Sequence, residues 1–255
     1  MAKTIRVGLL LFVLATVASG AWQKRSAIQS WKRTLDVVVY PINGDARTTT
    51  AGYIATLSAD SFASIGAFLS QEAQRHGLPL ARPVSVKLGP RLQSMPPPAP
   101  VGAQTLEIIL WSLRLRFWAW RNDDYAGPSP DIRVFAVFFD PGLTPRVPHS
   151  IGLREGHIGI ANVFAAEHMT EENNVIVTHE ILHTFGATDK YDPATSQPLF
   201  PEGYANPARS PLHPQEFAEI MGGRIPLSER ESDTPRSLEL ALVGDKTAAE
   251  IYWRR

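Results

Sequence analysis

The chain is 255 residues long, 44% of them apolar, and its 25 basic side chains are balanced by 25 acidic ones. This length and apolar content predict one sizeable globular domain. The zero net charge argues against a nucleic-acid-binding function. The sequence contains no cysteine, which excludes disulfide bonds and thiolate metal ligands.

Residues 1–20 have the layout of a secretory signal peptide. Lys3 and Arg6 precede an apolar stretch over residues 7–18, and small side chains follow, so that cleavage after Gly20 fits the pattern. We therefore expect an exported protein, either periplasmic or secreted.

The alternative is that residues 5–22 are not cleaved and associate with a membrane as an N-terminal anchor. The apolar stretch is short for a transmembrane span, which favours export over anchoring. Residues 21–33 are mostly polar and predict a linker, and the folded domain then covers residues 34–255.

The domain begins with a predicted strand, helix and second strand. Residues 34–42 are rich in β-branched side chains and predict the first strand. Residues 58–76 carry apolar side chains at helical spacing, Ser58 can cap this helix, and Gly77 can end it. Residues 84–88 alternate like a strand. This order predicts a parallel pair with a right-handed crossover.

A proline-rich segment and an apolar helix follow. Residues 89–100 contain five prolines and predict a stiff surface spacer. Residues 104–120 predict a helix with two apolar faces. The first face comprises Leu106, Ile109, Leu110, Leu113, Phe117 and Trp120. The second face comprises Ile108, Trp111, Leu115 and Trp118.

Two arginines, Arg114 and Arg116, interrupt this helix, which excludes a membrane span. We favour a core helix that covers the sheet. The alternative is a helix that contacts a partner or a membrane surface through its tryptophans.

The next predicted elements lead up to a histidine motif. Residues 132–139 predict a central strand, and residues 150–153 and 157–161 predict a short hairpin. We interpret His157 as an ordinary surface histidine, and the alternative is that it forms part of the rim of a cleft. Thr170, followed by two acidic residues, predicts the start of a helix.

The motif is His179-Glu180-x-x-His183, within an apolar run that reads as a helix. Positions four apart lie on one helix face, so both imidazoles can point at one ion. Nitrogen donors suit zinc better than calcium or magnesium, which prefer oxygen. Glu180 flanks the metal without binding it, which is the position of the general base in zinc peptidases.

Two later residues strengthen this prediction. Gly186 can end the helix in a left-handed turn that sends the chain back toward the metal. Asp189 then follows His183 by six residues and can supply a third ligand through a carboxylate oxygen. The downstream residues that could replace it are Asp192, Glu202 and His213.

The pattern H-E-x-x-H-x-x-G-x-x-D over residues 179–189 resembles the zinc signature of the metzincin peptidases. Most members carry a third histidine, and an aspartate at this place resembles the small secreted bacterial peptidases of the snapalysin type. The resemblance implies Zn²⁺ as cofactor and a polypeptide substrate bound in extended form along a strand that borders the cleft. By the same resemblance, we place that strand at residues 157–162.

The expected fold is therefore α/β (α+β) and metzincin-like. It has a mostly parallel, twisted sheet with covering helices, and the zinc helix lies at the floor of the cleft. The upper lobe covers about residues 34–186. A smaller, helical C-terminal lobe covers about residues 187–255.

The segment after the motif supplies candidates for binding substrate or stabilising the oxyanion, namely Tyr191, Tyr204 and His213. The resemblance also implies a methionine in a tight turn under the zinc ligands. Met221 fits that place because it is the one methionine after the histidines and glycines follow it. The alternative is a gap-filling core methionine.

The end of the chain predicts two helices. Residues 234–243 begin with Thr-Pro and precede a glycine, which predicts one helix, and Asp245 predicts the cap of a last short one.

Together these patterns predict an exported zinc-dependent endopeptidase, in which a metal-activated water attacks the peptide bond and Glu180 is the general base. One alternative is a zinc hydrolase of a non-protein or cell-wall amide, because the chemistry at the carbonyl is shared. A second alternative is a non-catalytic binding module stabilised by zinc.

Overall fold

A computed structural model describes residues 26–100, 102 and 104–254, and the predicted signal peptide or anchor lies outside these residues. The strands of its main sheet are β1 (Leu35–Asn43), β2 (Val84–Leu88), β3 (Ile132–Phe139), β4 (Ile151–Leu153) and β5 (Ile158–Phe164). Their order across the sheet is β2-β1-β3-β5-β4. All neighbours are parallel except β4, which pairs antiparallel with β5. The expected mixed α/β fold with a mostly parallel sheet is confirmed.

The α-helices are α1 (Thr48–Thr56), α2 (Ala63–Arg75), α3 (Thr105–Arg121), α4 (Thr170–Phe185) and α5 (Asp245–Glu250). Single 3₁₀ turns occur at Ala59–Phe62, Arg154–Gly156, Glu167–Met169 and Leu238–Leu240. The helix predicted from Ser58 therefore begins as a 3₁₀ turn, and Ser58 caps it in a reciprocal capping box with Ser61. Thr170 opens α4 as its first residue, but its hydroxyl bonds to Tyr53 rather than capping the helix.

The two faces of the sheet are covered by different helices. Val37 and Val134 point to the face packed by α2 and α4, where Ile181 joins the same apolar cluster. Val38 and Phe135 point to the opposite face, which α3 covers. This alternation follows from the period of two along a strand. Strands buried on both faces also explain the near-continuous apolar runs in the sequence.

Helix α3 covers the sheet with only one of its two apolar faces. Trp111, Leu115 and Ala119 are buried against it. The first predicted face points outward, with side chains 46–72% exposed. Ile108, which we assigned to the second face, is also 48% exposed. The expectation of a core helix is therefore correct for one face and wrong for the other.

The proline-rich segment packs along the flank of α3. The indole of Trp111 donates to the carbonyl of Pro97 at 3.0 Å, and that of Trp118 donates to the hydroxyl of Ser94 at 3.1 Å. These contacts place both tryptophans inward. They leave Trp120, at 72% exposed, on the outer side.

The predicted hairpin is present, but the strand at the sheet edge is not the expected one. We placed the cleft-bordering strand at residues 157–162, and most of that segment forms β5, which lies between β3 and β4. The edge strand is β4. His157 is also not a surface residue, since it is only 6% exposed and adopts a left-handed backbone conformation between the turn and β5.

The C-terminal part is less helical than expected. The predicted helix over residues 234–243 is absent, and the chain there forms the 3₁₀ turn at Leu238–Leu240 and strand β9 (Ala241–Leu242). This strand pairs parallel with β6 (Ala218–Glu219), so a tertiary contact outweighs the local Thr-Pro start signal. The last short helix is present as α5, with Gly244 rather than Asp245 at the N-cap.

The remaining strands, β7 (Ile225–Pro226) and β8 (Ser232–Asp233), form an antiparallel pair. Side chains from this C-terminal part, including Met221 and Leu238, belong to the same apolar cluster as Val177 and Ile181 of α4. Within the stretches that the structure describes, no helix is long and apolar enough to cross a bilayer.

Candidate metal centre

The histidine motif lies in the second half of α4. Two acidic residues, Glu171 and Glu172, occupy its first turn, where they complement the helix dipole. The helix ends at Gly186, whose φ of 116° lies in the region that favours glycine. Its N–H and that of Ala187 both donate to the carbonyl of Leu182. This tight end turns the chain back, as the sequence predicted.

Three donor atoms converge here, two from histidines before this turn and one from the aspartate after it. The Nε2 atoms of His179 and His183 lie 3.1 Å apart. The Oδ1 of Asp189 lies 3.0 Å from the Nε2 of His179 and 3.1 Å from that of His183. Thus the three side chains that the sequence singled out form a nearly equilateral triangle of two nitrogens and one oxygen.

Backbone carbonyls orient both imidazoles. The Nδ1 of His179 lies 2.9 Å from the carbonyl oxygen of Ile220, and that of His183 lies 2.9 Å from the carbonyl oxygen of Ala187. A carbonyl oxygen only accepts, so each Nδ1 carries the proton. This leaves both Nε2 atoms able to act as electron-pair donors toward the centre of the triangle, which is the usual arrangement around a metal-ligating histidine.

Glu180 points toward the same centre from within the protein. It is 4% exposed, and its Oε2 has no hydrogen-bond partner among the described residues. Burial raises the pKa of Glu180, and the neighbouring His179 and His183 oppose that rise. The group His179, Glu180 and His183 offers one ligand atom each within 4.8 Å and could hold a metal ion.

The charges of the cluster favour a cation at its centre. Burial lowers the pKa of His179, but the hydrogen bond to Asp189 and the charges of Glu180 and Asp189 outweigh it and raise the pKa to about 9. Burial would raise the pKa of Asp189, but hydrogen bonds from both histidines hold it well below its usual range. Without a metal ion, a proton on His179 therefore carries the positive charge that compensates Glu180 and Asp189. A bound cation would supply that charge instead.

The turn that contains Met221 contacts His179 through the residue before the methionine. Met221 is fully buried, and the carbonyl of Ile220, one residue earlier, accepts the Nδ1 proton of His179. Gly223 has a φ of 73° and closes the turn. Met221 thus lies in a tight turn that contacts the site through Ile220, and its side chain belongs to the main apolar cluster, as a core methionine would.

Sequence reasoning missed Glu219, which holds this turn in place. Its carboxylate is fully buried and accepts backbone N–H groups of Met221 and Gly222 at one oxygen. The other oxygen accepts the N–H of Gly244 and the hydroxyl of Thr247. No sequence pattern marks Glu219, because two of its four donors, Gly244 and Thr247, lie 25 and 28 residues further along the chain.

Gly152 was also missed. A Cβ at this residue of β4 would lie 2.3 Å from the Cβ of His183 and 2.9 Å from the carbonyl oxygen of Glu180. Only glycine allows the edge strand to lie this close to the motif. The signal available in the sequence was a glycine inside a predicted strand, which often marks a close approach of another backbone.

The three candidates for substrate contact are placed differently. Tyr191 is near the cluster: its ring lies 6.3 Å from that of His179, and burial, together with the charges of Asp189 and Glu180, raises its pKa to about 12. Tyr204 and His213 instead bond to each other at 3.1 Å.

Two of the residues that could have replaced Asp189 as third ligand, Asp192 and Glu202, form no hydrogen bond or ion pair with the histidines in the part of the chain that the structure describes. The Oδ1 of Asp192 accepts the backbone N–H groups of Ala194 and Thr195, as in a turn, and Glu202 is exposed. Asp189 is the downstream acid whose oxygen contacts both histidines.

No protein-family model matches this chain, and no curated protein sequence is similar enough to be matched.

Proposed function

We propose that this protein is a zinc-dependent endopeptidase in which His179, His183 and Asp189 hold the ion and Glu180 is the general base. The observation that carries the proposal is the convergence of three donor atoms, 3.0–3.1 Å apart, beside the buried carboxylate of Glu180, whose Oε2 has no hydrogen-bond partner within the described part of the chain. The resemblance of residues 179–189 to the metzincin signature supports the same conclusion.

The donor set fits zinc. Bonds of about 2.0–2.1 Å in a tetrahedral zinc site place neighbouring donors about 3.3 Å apart, close to the spacing of these three atoms. Two imidazole nitrogens and one carboxylate oxygen are ordinary zinc ligands. Three protein ligands leave a fourth position open for water or substrate, whereas structural zinc sites are usually closed by four.

A bound zinc ion supplies a Lewis acid for the scissile carbonyl and lowers the pKa of a water. Glu180 accepts the proton of the attacking water at its carboxylate and later donates it to the departing amine. Its burial suits this role, because a carboxylate with a raised pKa returns a proton more readily at neutral pH.

The substrate we propose is an extended polypeptide. Strand β4 has a partner on one side, β5, and ends the sheet on the other. Its free edge offers main-chain hydrogen bonds to a peptide that adds as a further strand. Gly152 brings this edge against His183, so such a peptide would lie beside the metal ligands.

Tyr191 is the best of the three candidates for stabilising the oxyanion. A tyrosine phenol is protonated at neutral pH, the surroundings of Tyr191 raise its pKa further, and the residue lies next to Asp189. A protonated phenol can donate a hydrogen bond to developing negative charge. The apolar stretch near the N-terminus supports export as the setting in which the enzyme acts.

The test is hydrolysis of an unfolded protein by the purified chain. We expect cleavage to internal fragments, its loss in a chelator, and its recovery when Zn²⁺ is added back. Cleavage of cell-wall peptide fragments alone would instead support the non-protein amide hydrolase. A protein that binds zinc tightly but hydrolyses neither substrate would support a structural role for the metal.

A further inference from the structure

Helix α3 carries an apolar surface that the proposed peptidase activity does not use. Its outer face, here called the apolar stripe, comprises Leu106, Ile109, Leu110, Leu113, Phe117 and Trp120. These side chains are 46–72% exposed. Soluble monomers rarely leave so many large apolar side chains together in water, and contiguous patches of this kind mark interaction sites.

The apolar stripe is separate from the metal centre. Helix α3 packs on the sheet face lined by Val38 and Phe135, whereas α4 packs on the face lined by Val37 and Val134. The inner side chains of α3, Trp111 and Leu115, already supply its contact with the sheet. The packing of α3 on the sheet therefore does not require the side chains of the stripe.

Basic side chains accompany the stripe. Arg114 and Arg121 are exposed and lie one helical turn before and after Phe117. The acidic residue of the helix, Glu107, lies in the first turn, where it accepts the N–H of Gln104 at 3.1 Å. Asp124 is an exposed acid just beyond the helix end, so the middle and end of α3 itself are basic.

We propose that the apolar stripe docks on the surface of a lipid bilayer that contains anionic headgroups. A helix with leucine, phenylalanine and tryptophan on its outer side can lie in the plane of the interface with these side chains among the acyl chains. The rings of Phe117 and Trp120 lie 5.8 Å apart and form an aromatic anchor. Arg114 and Arg121 can extend to the headgroups and bind their phosphates.

A second copy of the chain fits this surface less well. In a two-fold dimer through α3, side chains near the middle of the helix would face their own copies. Leu113 is the midpoint of Thr105–Arg121, and Arg114 and Arg121 flank the stripe on one side, so the arginines of both copies would lie at the rim of an apolar contact. That arrangement is unfavourable without an acidic partner, whereas anionic headgroups provide one.

The experiment is cosedimentation of the full chain with vesicles of phosphatidylcholine alone, or of phosphatidylcholine and phosphatidylserine in equal amounts. The test variant is Phe117→Ser/Trp120→Ser. The matched control is Leu143→Ser/Phe200→Ser, which removes two apolar side chains that are 55% and 59% exposed elsewhere on the surface. A third variant, Arg114→Gln/Arg121→Gln, removes the charge.

We expect the unmodified chain and the control to bind the mixed vesicles, and the Phe117→Ser/Trp120→Ser variant to bind at least about tenfold more weakly. The Arg114→Gln/Arg121→Gln variant should bind mixed vesicles about 25-fold more weakly, about fivefold for each arginine, and its binding to neutral vesicles should be nearly unchanged. Urea unfolding of each variant checks that the fold is intact, because all four arginine and aromatic positions are exposed.

Two results would overturn the proposal. One is the absence of vesicle binding by the unmodified chain. The same holds if binding persists undiminished in the Phe117→Ser/Trp120→Ser variant, because it would then come from residues 5–22 or another surface. The other is a lipid-free dimer, seen by analytical ultracentrifugation, that the same substitutions convert to a monomer. Neither result would affect the proposed hydrolysis at the metal centre.

Discussion

Helices α3 and α4 lie on opposite faces of one sheet and depart from ordinary burial in opposite directions. Helix α4 buries polar groups, including Asn173, Asn174 and Glu180, and carries the two histidines of the three-donor cluster. Helix α3 leaves seven large apolar side chains in water. Both arrangements cost free energy relative to the usual pattern of apolar inside and polar outside. Natural proteins keep such departures mostly at functional sites, which supports the proposals made for both helices.

The two helices also differ in how their exceptions are held. The polar residues of α4 are tied to the fold: Asn173 bonds to both backbone groups of Phe164, and Asn174 bonds to Ser61 and Ser64. The side chains of the α3 stripe form no hydrogen bonds that hold them in place, because they are apolar. Binding through an apolar surface requires only that these side chains leave water. A metal site requires fixed geometry, whereas a membrane-facing surface does not.

The largest effect is expected for Glu180→Gln. Glutamine keeps the shape of the side chain but cannot accept a proton as a base, so hydrolysis of an unfolded protein should fall by at least about 100-fold. Zinc content, measured by atomic absorption, should stay near one ion per chain because the three proposed ligands remain.

The matched control for this variant is Glu171→Gln, in the first turn of the same helix and exposed. It should retain full activity. Full turnover by Glu180→Gln would remove Glu180 from the mechanism and leave the buried carboxylate without an assigned role.

The next effect is expected for Asp189→Ala. It removes the oxygen that contacts both histidines, and loss of a ligand should weaken zinc binding by more than the roughly 10–100-fold seen when an outer-shell partner is lost. Competition with a chromogenic chelator measures the affinity. Glu202→Ala, an exposed acid of the following loop, is the control and should bind zinc normally. Equal weakening in both variants would contradict Asp189 as the third ligand.

The contrast between the two faces of α3 can be tested with two leucines, one on each face. Leu115 is fully buried, and Leu115→Ala should lower the free energy of unfolding by about 2–5 kcal/mol. Leu113 is 53% exposed, and Leu113→Ala should change it by less than about 0.5 kcal/mol. Urea denaturation measures both. Similar large losses would show that the stripe is covered in solution.

A smaller effect is expected for Gly152→Ala, which adds a methyl group where a Cβ would lie 2.3 Å from that of His183. Strand β4 and helix α4 must then separate, which should lower stability by about 1–3 kcal/mol and reduce hydrolysis. Gly52→Ala in α1 is the control, because open space surrounds its Cβ position and alanine favours a helix. Unchanged stability and activity in Gly152→Ala would show that the strand is not held against the motif.

The sequence predicted those features that depend on local spacing. The histidines four apart, the glycine that ends α4, and the aspartate beyond it all lie within 11 residues, and the structure brings their donor atoms together. The first strands and α2 followed from apolar periodicity in the same way. Local geometry largely determines such features, because a helix fixes which side chains share a face.

Features that depend on distant contacts were missed. Both faces of α3 are apolar, so periodicity alone could not show which one packs on the sheet. Residues 241–242 became a strand because β6 lies beside them, not because of their own preference. Glu219 is surrounded by donors from residues up to 28 positions away, and no local pattern announces such a contact.

The most direct test of the metal centre is anomalous scattering at the zinc absorption edge from crystals of the zinc-loaded protein. We predict one strong peak at bonding distance, about 2.0–2.2 Å, from the Nε2 atoms of His179 and His183 and from a carboxylate oxygen of Asp189. A peak that lies away from these three atoms, or coordination of the histidines with a different acid in place of Asp189, would contradict the proposed centre.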